Sequence, residues 1–461
     1  MSDQAVAPRS PALRSTLMWA LAAAVLGGVI VAVAPSAAFV VAAPVVIGIG
    51  ISIAIRRPEF MLAALIASAA LDSSGRLGTV GDAKITFYQA AFLLSVGVYV
   101  WLVAKGRERL PSTVANWWVL LLALAGLVTI PGAASPQIAI VAWFSLVSSV
   151  GLVYLVVAIA NTPERLRFVL TTLVVVASGL SVLAILEWKH IYSVQPLLIT
   201  YALGVRARVT FTDPNIFGGV LAAAVAVGAS LAITERVWFK ALVLWGLVAL
   251  SLAGVVTTSS RGALLGLLGG LVIVLIATPM RLRTRALALC GSAGMVAVMA
   301  LWVLGPAWIA ARVTGIGDDA SALHRVYLAR SGLRMFEAYP FGVGPGNWAQ
   351  VIPAFRDQML PPELLESHMT AVTILVEEGF LGLIGYVGVL VSVIVVTVLA
   401  AYGAVDKEVR ILGSSALAGM TVLLVQSFTY SLDTSKFLWL TVGAGLAAWA
   451  MAQVRKNKEI E

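Results

Sequence analysis

Residues 205–233 read VRARVTFTDPNIFGGVLAAAVAVGASLAI, in which two arginines and an aspartate stand directly before a long apolar run. A helix needs roughly 20 consecutive apolar residues to cross the hydrocarbon core of a bilayer. Residues 215–233 supply a run of about that length without a charge, so they predict a membrane-spanning helix. Arg206, Arg208 and Asp213 are then predicted to lie at one surface of the membrane.

The composition of the whole chain extends this prediction to a multi-pass protein. Hydrophobic residues make up 60% of the 461 residues and charged residues 11%, and the mean hydropathy is +0.98. Soluble domains are about half apolar and about a quarter charged. We therefore expect one membrane domain over residues 1–461, without a sizeable soluble domain. The formal charge of +9 has no dense basic block, so nucleic acid is not an expected partner.

Apolar runs that approach the length of a spanning helix recur along the chain. We count 14 of them, of which the third is short and the twelfth is unusually long, and we predict 12 to 14 transmembrane helices in an all-α polytopic fold. The runs lie near residues 17–34, 36–55, 60–71, 85–104, 114–131, 138–160, 168–187, 215–233, 238–257, 262–279, 286–304, 371–400, 411–428 and 437–453.

The basic residues predict the orientation, because lysine and arginine favour cytoplasmic loops. If the N-terminus is cytoplasmic, every inner loop carries lysine or arginine, and these loops hold 19 of the 31 basic residues. Both termini are therefore predicted to be cytoplasmic. The other 12 basic residues fall on the external side, and nine of them are arginines: Arg76, Lys84, Lys189, Arg206, Arg208, Arg261, Arg312, Arg325, Arg330, Arg334, Arg356 and Lys436.

Two external segments are long enough to carry structure of their own, namely residues 188–214 and the larger segment 305–370. Within the latter, residues 321–336 have helical spacing and predict an amphipathic helix resting near the outer membrane interface. Pro340 is expected to end it, before a tight glycine turn in FGVGPGNW. The predicted apolar stripe consists of Leu323, Val326, Tyr327, Leu333 and Phe336.

Four motifs occur in an order and spacing that resemble the O-antigen ligase and polymerase superfamily. They are RARVTFTDPN, TTSSRGALLGLLGG, HRVYLARSGLRMFEAYPFGVGPGNW and SHMTAVTILVEEGFLGLIGYV, within roughly residues 200–400. The chain departs from the family pattern at Met369, where asparagine usually follows the histidine, and at Tyr327, where tryptophan is frequent.

The resemblance implies a fold and an activity. Members are multi-helix glycosyltransferases of the GT-C-like type, which use a polyprenyl-diphosphate-linked glycan at the outer face of the inner (cytoplasmic) membrane. Ligases transfer the glycan to a lipid A-core sugar, and polymerases transfer a growing chain to the next repeat unit. The expected partners are the lipid-linked glycan donor, a sugar or lipid-linked sugar acceptor, and membrane lipids.

The resemblance also implies site residues. The arginine before the Pro-Asn motif corresponds to Arg206, with Arg208 close enough to share or replace its role. Arg261 is the arginine of the Ser-Arg-Gly motif, and Arg325 opens the amphipathic helix. These four arginines are the expected ligands of the donor diphosphate, and His368 is the expected catalytic residue.

Chemical reasoning leads to the same residue types. Fixed arginines can stabilise charge that develops on a departing diphosphate, and histidine is a suitable general base near neutral pH. Asp318 and Asp319 form the only acidic pair of the external segment, without further ligands at metal-binding spacing, so neither a metal nor another cofactor is expected.

Structural roles remain open beside these functional ones. Arg206 and Arg208 can reach lipid headgroups as surface arginines do, and His368 can be a plain residue before a helix. Asp213 fits an N-cap. For Glu377 and Glu378 we expect ion pairs with arginine, with a second catalytic carboxylate as the alternative. Two other classes of protein also remain open. A secondary transporter or flippase for lipid-linked sugars would place its charges near the midplane, and a non-catalytic scaffold gives no reason for external arginines.

Overall fold

The computed structural model describes residues 50–71, 76–80, 83–200, 204–280, 320–361 and 366–460. The chain divides between Pro58 and Glu59 into two units. The fold described below is that of the second unit, which contains every predicted site residue.

The described part of the second unit is built from helices, with two short antiparallel ribbons. One ribbon pairs β1 (Arg76–Val80) with β2 (Ala83–Thr86), and the other pairs β3 (Ile199–Thr200) with β4 (Gly204–Val205). The described helices are α1 (Glu59–Ala70), α2 (Phe87–Ala104), α3 (Asn116–Thr129), α4 (Pro136–Ile159), α5 (Pro163–Trp188), α6 (Pro214–Thr234), α7 (Trp238–Thr257), α8 (Arg261–Ala277), α9 (Ala320–Ala338), α10 (Trp348–Phe355), α11 (Thr370–Glu377), α12 (Gly379–Gly403), α13 (Lys407–Ser427) and α14 (Lys436–Ile460), with a 3₁₀ turn at Ile130–Gly132.

The prediction of an all-α polytopic membrane protein is confirmed. Within the described residues, eight helices are long and apolar enough to cross a membrane, namely α2, α4, α5, α6, α7, α12, α13 and α14. Three predicted spans correspond to the shorter apolar helices Glu59–Ala70, Asn116–Gly132 and Arg261–Ala277. The predicted runs 17–34 and 286–304 lie outside the described residues, as does 36–55 apart from its last six residues.

Helix α6, which the opening stretch of sequence predicted, lies at the centre of the bundle. Nearly all of its residues are buried, and it packs against α5, α7, α8 and α13. Small residues make this possible, because they let helix backbones approach closely. At Gly219, for example, any side chain would overlap the amide of Gln426 on α13.

The loops that were assigned to one side of the membrane meet at one end of the bundle. Arg165 lies 3.7 Å from Glu59 and 3.7 Å from Glu108. Arg167 forms ion pairs of 3.5 Å with Glu235 and 2.6 Å with Glu408. Helix α6 begins at the opposite end from Glu235, so the polar stretch that precedes Pro214 lies at the other end of the bundle.

The predicted twelfth span, residues 371–400, is two helices rather than one. Helix α11 ends at Glu377, and α12 begins at Gly379. The break occurs because Gly379 has a φ of +73° and a side chain there would collide with the backbone of Phe341. The predicted glycine turn thus packs into the junction, and Gly342 and Gly344 also have positive φ within it.

The predicted amphipathic helix exists as α9, and it ends two residues before Pro340. Its inward face differs from the predicted stripe. Leu328, Ser331 and Met335 are fully buried. Tyr327 and Phe336 are partly buried and pack against the apolar cluster that contains Leu328 and Met335. The other three stripe residues, Leu323, Val326 and Leu333, are about half exposed. The error has a physical cause: α9 packs against α10 and α11 through a face that includes a serine, and its second apolar face remains uncovered.

Candidate active site

The candidate site lies where α6 begins. Asp213 is the N-cap of this helix, as predicted, and its Oδ1 accepts a hydrogen bond of 2.6 Å from the backbone N–H of Asn215. Pro214 occupies the first turn, where its missing N–H costs nothing. This cap fixes the start of α6, whose second residue, Asn215, contacts Arg206.

Arg206 is held by two different elements. Its Nε donates to the carbonyl oxygen of Thr258 at 3.0 Å, and its Nη2 donates to Oδ1 of Asn215 at 3.0 Å. The adjacent Ala207 N–H also donates to Thr257 at 3.1 Å. The guanidinium is therefore fixed between the start of α6 and the turn that joins α7 to α8.

Arg261 is the first residue of α8, directly after this turn. Ser260 caps the helix by accepting from the N–H of Ala263. Ser259 has a φ of +53°, a left-handed conformation that costs a residue other than glycine about 1 kcal/mol or more. This turn places Arg261 three residues after Thr258, whose carbonyl oxygen contacts Arg206.

Arg325 approaches the site from α9. Its Nε donates to the carbonyl oxygen of Thr429, in the loop between α13 and α14, at 3.3 Å. That loop also packs against α8, since a side chain at Gly262 would collide with Oγ1 of Thr429. Thr429 is thus a common contact of the elements that carry Arg261 and Arg325.

The three guanidinium groups act on one another electrostatically. Burial lowers the pKa of Arg206; the carboxylate of Asp213 opposes this shift, and the charges of Arg325 and Arg261 add to it. Burial likewise lowers the pKa of Arg325, with Arg261 adding to the shift and Asp213 opposing it. The site therefore gathers three positive charges around one carboxylate, and an anion would relieve their mutual repulsion.

Arg208 is placed differently from the other three arginines. Its Nη1 donates to the carbonyl of Thr212 at 3.3 Å, and its Nη2 donates to that of Pro196 at 3.0 Å. The backbone N–H groups of Arg208 and Val209 donate to the two oxygens of Glu187. Arg208 therefore braces its own loop, whereas Arg206 carries the guanidinium that meets Arg261 and Arg325.

His368 lies in the segment that leads into α11, and it too has left-handed backbone, with a φ of +53°. Burial lowers the pKa of the imidazole below its ordinary value of 6.5; Glu366 and Asp213 raise it, and Arg325 lowers it. Asp213, which acts on Arg206 and Arg325, thus also acts on His368, as does Arg325 itself, so the structure brings the predicted base to the arginine cluster. A neutral imidazole near pH 7 can accept a proton.

A network of hydroxyl groups fixes the loop around His368. Ser367, Thr373 and Ser431 hydrogen bond to one another through their Oγ atoms, with 2.9 Å between Ser367 and Ser431. The Oγ1 of Thr370 donates to the carbonyl of Tyr430 at 3.0 Å and accepts from the N–H of Leu432 at 2.9 Å. These bonds join the segment before α11 to the loop between α13 and α14, and so hold the left-handed backbone of His368.

Among the described residues, Glu377 and Glu378 form no ion pair with an arginine, contrary to the prediction. The two oxygens of Glu377 accept backbone N–H groups of Gly346 and Trp348 at 2.6 and 3.0 Å. Both residues are buried at the junction of α11 and α12. Glu377 thus anchors the glycine turn to α11, which accounts for a buried carboxylate without a counter-charge from an arginine.

Several uncharged residues that contact the site were not predicted from the sequence. Asn215 and Thr258 orient Arg206, Thr429 contacts Arg325, and Tyr430 packs its ring against His368. Asn215 lies in the quoted Asp-Pro-Asn motif, whose geometry at a helix start offers its amide to the site. Thr429 and Tyr430 lie in a short break between the last two spans, and only the packing of that break reveals them.

The fold and the site define a multi-pass helical membrane protein that gathers three arginines and a histidine at one end of its bundle. Residues 246–387 match the family model described as O-antigen ligase. This match covers about a third of the chain and supports the predicted resemblance to the O-antigen ligase and polymerase superfamily. The matched residues include Arg261, Arg325 and His368. No curated protein matches the chain.

Proposed function

We propose that this protein transfers a glycan from a polyprenyl diphosphate to an acceptor hydroxyl at the outer face of the inner membrane. Both termini then lie in the cytoplasm, in accordance with the distribution of basic residues. One observation carries the proposal: Arg206, Arg261 and Arg325 converge with His368 although they come from four separate parts of the chain.

The arginines bind the donor diphosphate in this proposal. A diphosphate leaving group gains negative charge as the glycosidic bond breaks, and guanidinium groups stabilise that charge through charge-assisted hydrogen bonds. Arg206 is already oriented by Thr258 and Asn215, so it need not be reordered when the donor binds. A pre-oriented group loses little entropy on binding, and it stabilises the transition state more effectively for that reason.

His368 is the general base. It accepts the proton of the acceptor hydroxyl while the oxygen attacks the anomeric carbon and the polyprenyl diphosphate departs. Base catalysis of this kind contributes typically about a hundred- to ten-thousandfold to the rate. The left-handed backbone at His368 agrees with such a role, since strained residues cluster at active sites.

The test is a transfer assay with purified protein in detergent, where no gradient can exist. A polyprenyl-diphosphate-linked glycan and an acceptor are incubated with the protein, and the products are separated and identified by mass. We expect a new glycosidic product together with free polyprenyl diphosphate. If no product forms in detergent, and the same protein reconstituted into vesicles moves the donor across their membranes, the protein would instead be a transporter.

A further inference from the structure

We propose that Tyr430 is a positioning residue for His368, with its ring supporting the imidazole and its hydroxyl holding Glu366 beside it. This inference rests on the proposed function, because it assigns the supports of the proposed base. Neither Tyr430 nor Glu366 carries a role in the transfer described above.

The contact between the two rings is direct. The ring centroids of His368 and Tyr430 lie 5.2 Å apart at an interplanar angle of 59°. Tyr430 is 6% exposed, so its ring is fixed by its surroundings and presents a rigid wall. The side chain of His368 has two rotatable bonds, and packing against the fixed ring of Tyr430 restricts both of them.

The backbone of Tyr430 is fixed as firmly as its ring. Its N–H donates to the carbonyl of Gln426 at 3.0 Å, and its own carbonyl accepts from Thr370. Gln426 in turn donates through Nε2 to the backbone oxygen of Asn215, which orients Arg206. Tyr430 therefore connects the base to the element that holds the arginine cluster.

The hydroxyl of Tyr430 holds the carboxylate of Glu366 in place. It donates a hydrogen bond of 2.7 Å to Oε2 of Glu366. Burial raises the pKa of the phenol above its ordinary value, and the charges of Asp213 and Glu366 raise it further. The phenol thus remains a hydrogen-bond donor throughout the working pH range.

The carboxylate that Tyr430 holds acts on the base. The charged groups that act on His368 are Glu366, Asp213 and Arg325, of which Glu366 raises the pKa of the imidazole the most. When His368 accepts a proton in the transition state, a fixed negative charge nearby stabilises the imidazolium that forms. The support is thus both steric, through the ring of Tyr430, and electrostatic, through Glu366.

Three variants separate these contributions. Tyr430→Phe keeps the ring and removes the hydrogen bond to Glu366, and we expect the kcat to fall about tenfold, the scale of one hydrogen bond to a charged group, with the donor KM unchanged. Tyr430→Ala also removes the ring that packs against His368 and should lower the kcat further. Glu366→Gln keeps an acceptor but removes the charge, so the acid limb of the kcat/KM profile should move to lower pH. Tyr386→Phe, a buried tyrosine in α12, is the matched control and should behave like the parent.

The outcomes distinguish the two proposals. If His368→Ala is inactive while Tyr430→Phe and Glu366→Gln keep the parental kcat and pH profile, the positioning role is wrong and the base assignment stands. If His368→Ala is fully active, the proposed base itself is wrong. If Tyr430→Phe raises the donor KM instead of lowering the kcat, Tyr430 serves donor binding, and the positioning role is again excluded. Circular dichroism and the thermal midpoint confirm that each variant is folded.

Discussion

The guanidinium of Arg206 donates to Oδ1 of Asn215, the second residue of α6, at 3.0 Å. This bond links the Arg-x-Arg stretch to the helix that follows it, and so explains why the two occur together in one motif. Asp213 completes the arrangement by capping the same helix and by placing a carboxylate near the guanidinium.

Asn215→Ala should loosen Arg206 without changing the net charge of the site. A hydrogen bond to a charged group contributes about 1.5–3 kcal/mol, so we expect the donor to bind about tenfold more weakly. The measurement is the donor KM at saturating acceptor. Unchanged donor affinity would show that Thr258 alone suffices to orient Arg206.

Arg261→Lys keeps the positive charge and loses the two-pronged geometry of the guanidinium. If Arg261 binds the diphosphate through two parallel hydrogen bonds, lysine cannot replace it. We expect a marked loss of kcat/KM, and for Arg261→Ala a loss of roughly a hundredfold. Arg334→Lys on the exposed side of α9 is the control, and parental activity of both lysine variants would contradict the diphosphate contact.

Arg208→Ala should affect stability more than transfer. Its guanidinium binds the carbonyls of Thr212 and Pro196, and so it supports the loop rather than the arginine cluster. We expect a lower thermal midpoint and substantial activity, whereas Arg206→Ala should retain the midpoint and lose transfer. The reverse pattern, measured by thermal unfolding and product formation, would assign the diphosphate to Arg208.

The proposed orientation can be tested with single cysteines in a Cys290→Ser background. Gln358→Cys lies on an exposed turn after α10, and Lys407→Cys lies at the exposed start of α13. In intact spheroplasts an impermeant thiol reagent should label only the cysteine at residue 358, and lysis should expose the other. Labelling of residue 407 before lysis would reverse the topology.

The sequence predicted the elements whose signal is local. Long apolar runs identified the spanning helices because the bilayer imposes a length, and the cap at Asp213 followed from a short motif. The break at Glu378 and Gly379 escaped prediction because it depends on the backbone of Phe341, which is distant in the sequence. An apolar run alone cannot reveal a helix break that a remote loop imposes.

The residues of the site could also be predicted only in part. Arg206, Arg261, Arg325 and His368 were predicted from motifs, and the structure brings them together. Spacing alone could not separate the roles of Arg206 and Arg208. The two arginines are only two residues apart in an extended loop, so both are predicted to lie near the same surface. Only the hydrogen bonds of each guanidinium distinguish them.

The proposed transfer depends most directly on His368, and the decisive measurement is the rate of glycan transfer by His368→Ala under single-turnover conditions. Burial lowers the pKa of the parental imidazole. The parent should therefore keep its rate at pH 7 and lose it only as the pH falls below about 6.5, the ordinary value for histidine, because protonation removes the base. We expect His368→Ala to bind the donor normally and to transfer about a hundred- to ten-thousandfold more slowly. Transfer by His368→Ala at the parental rate would contradict the account and leave Glu366 or Glu377 as the next candidate for the base.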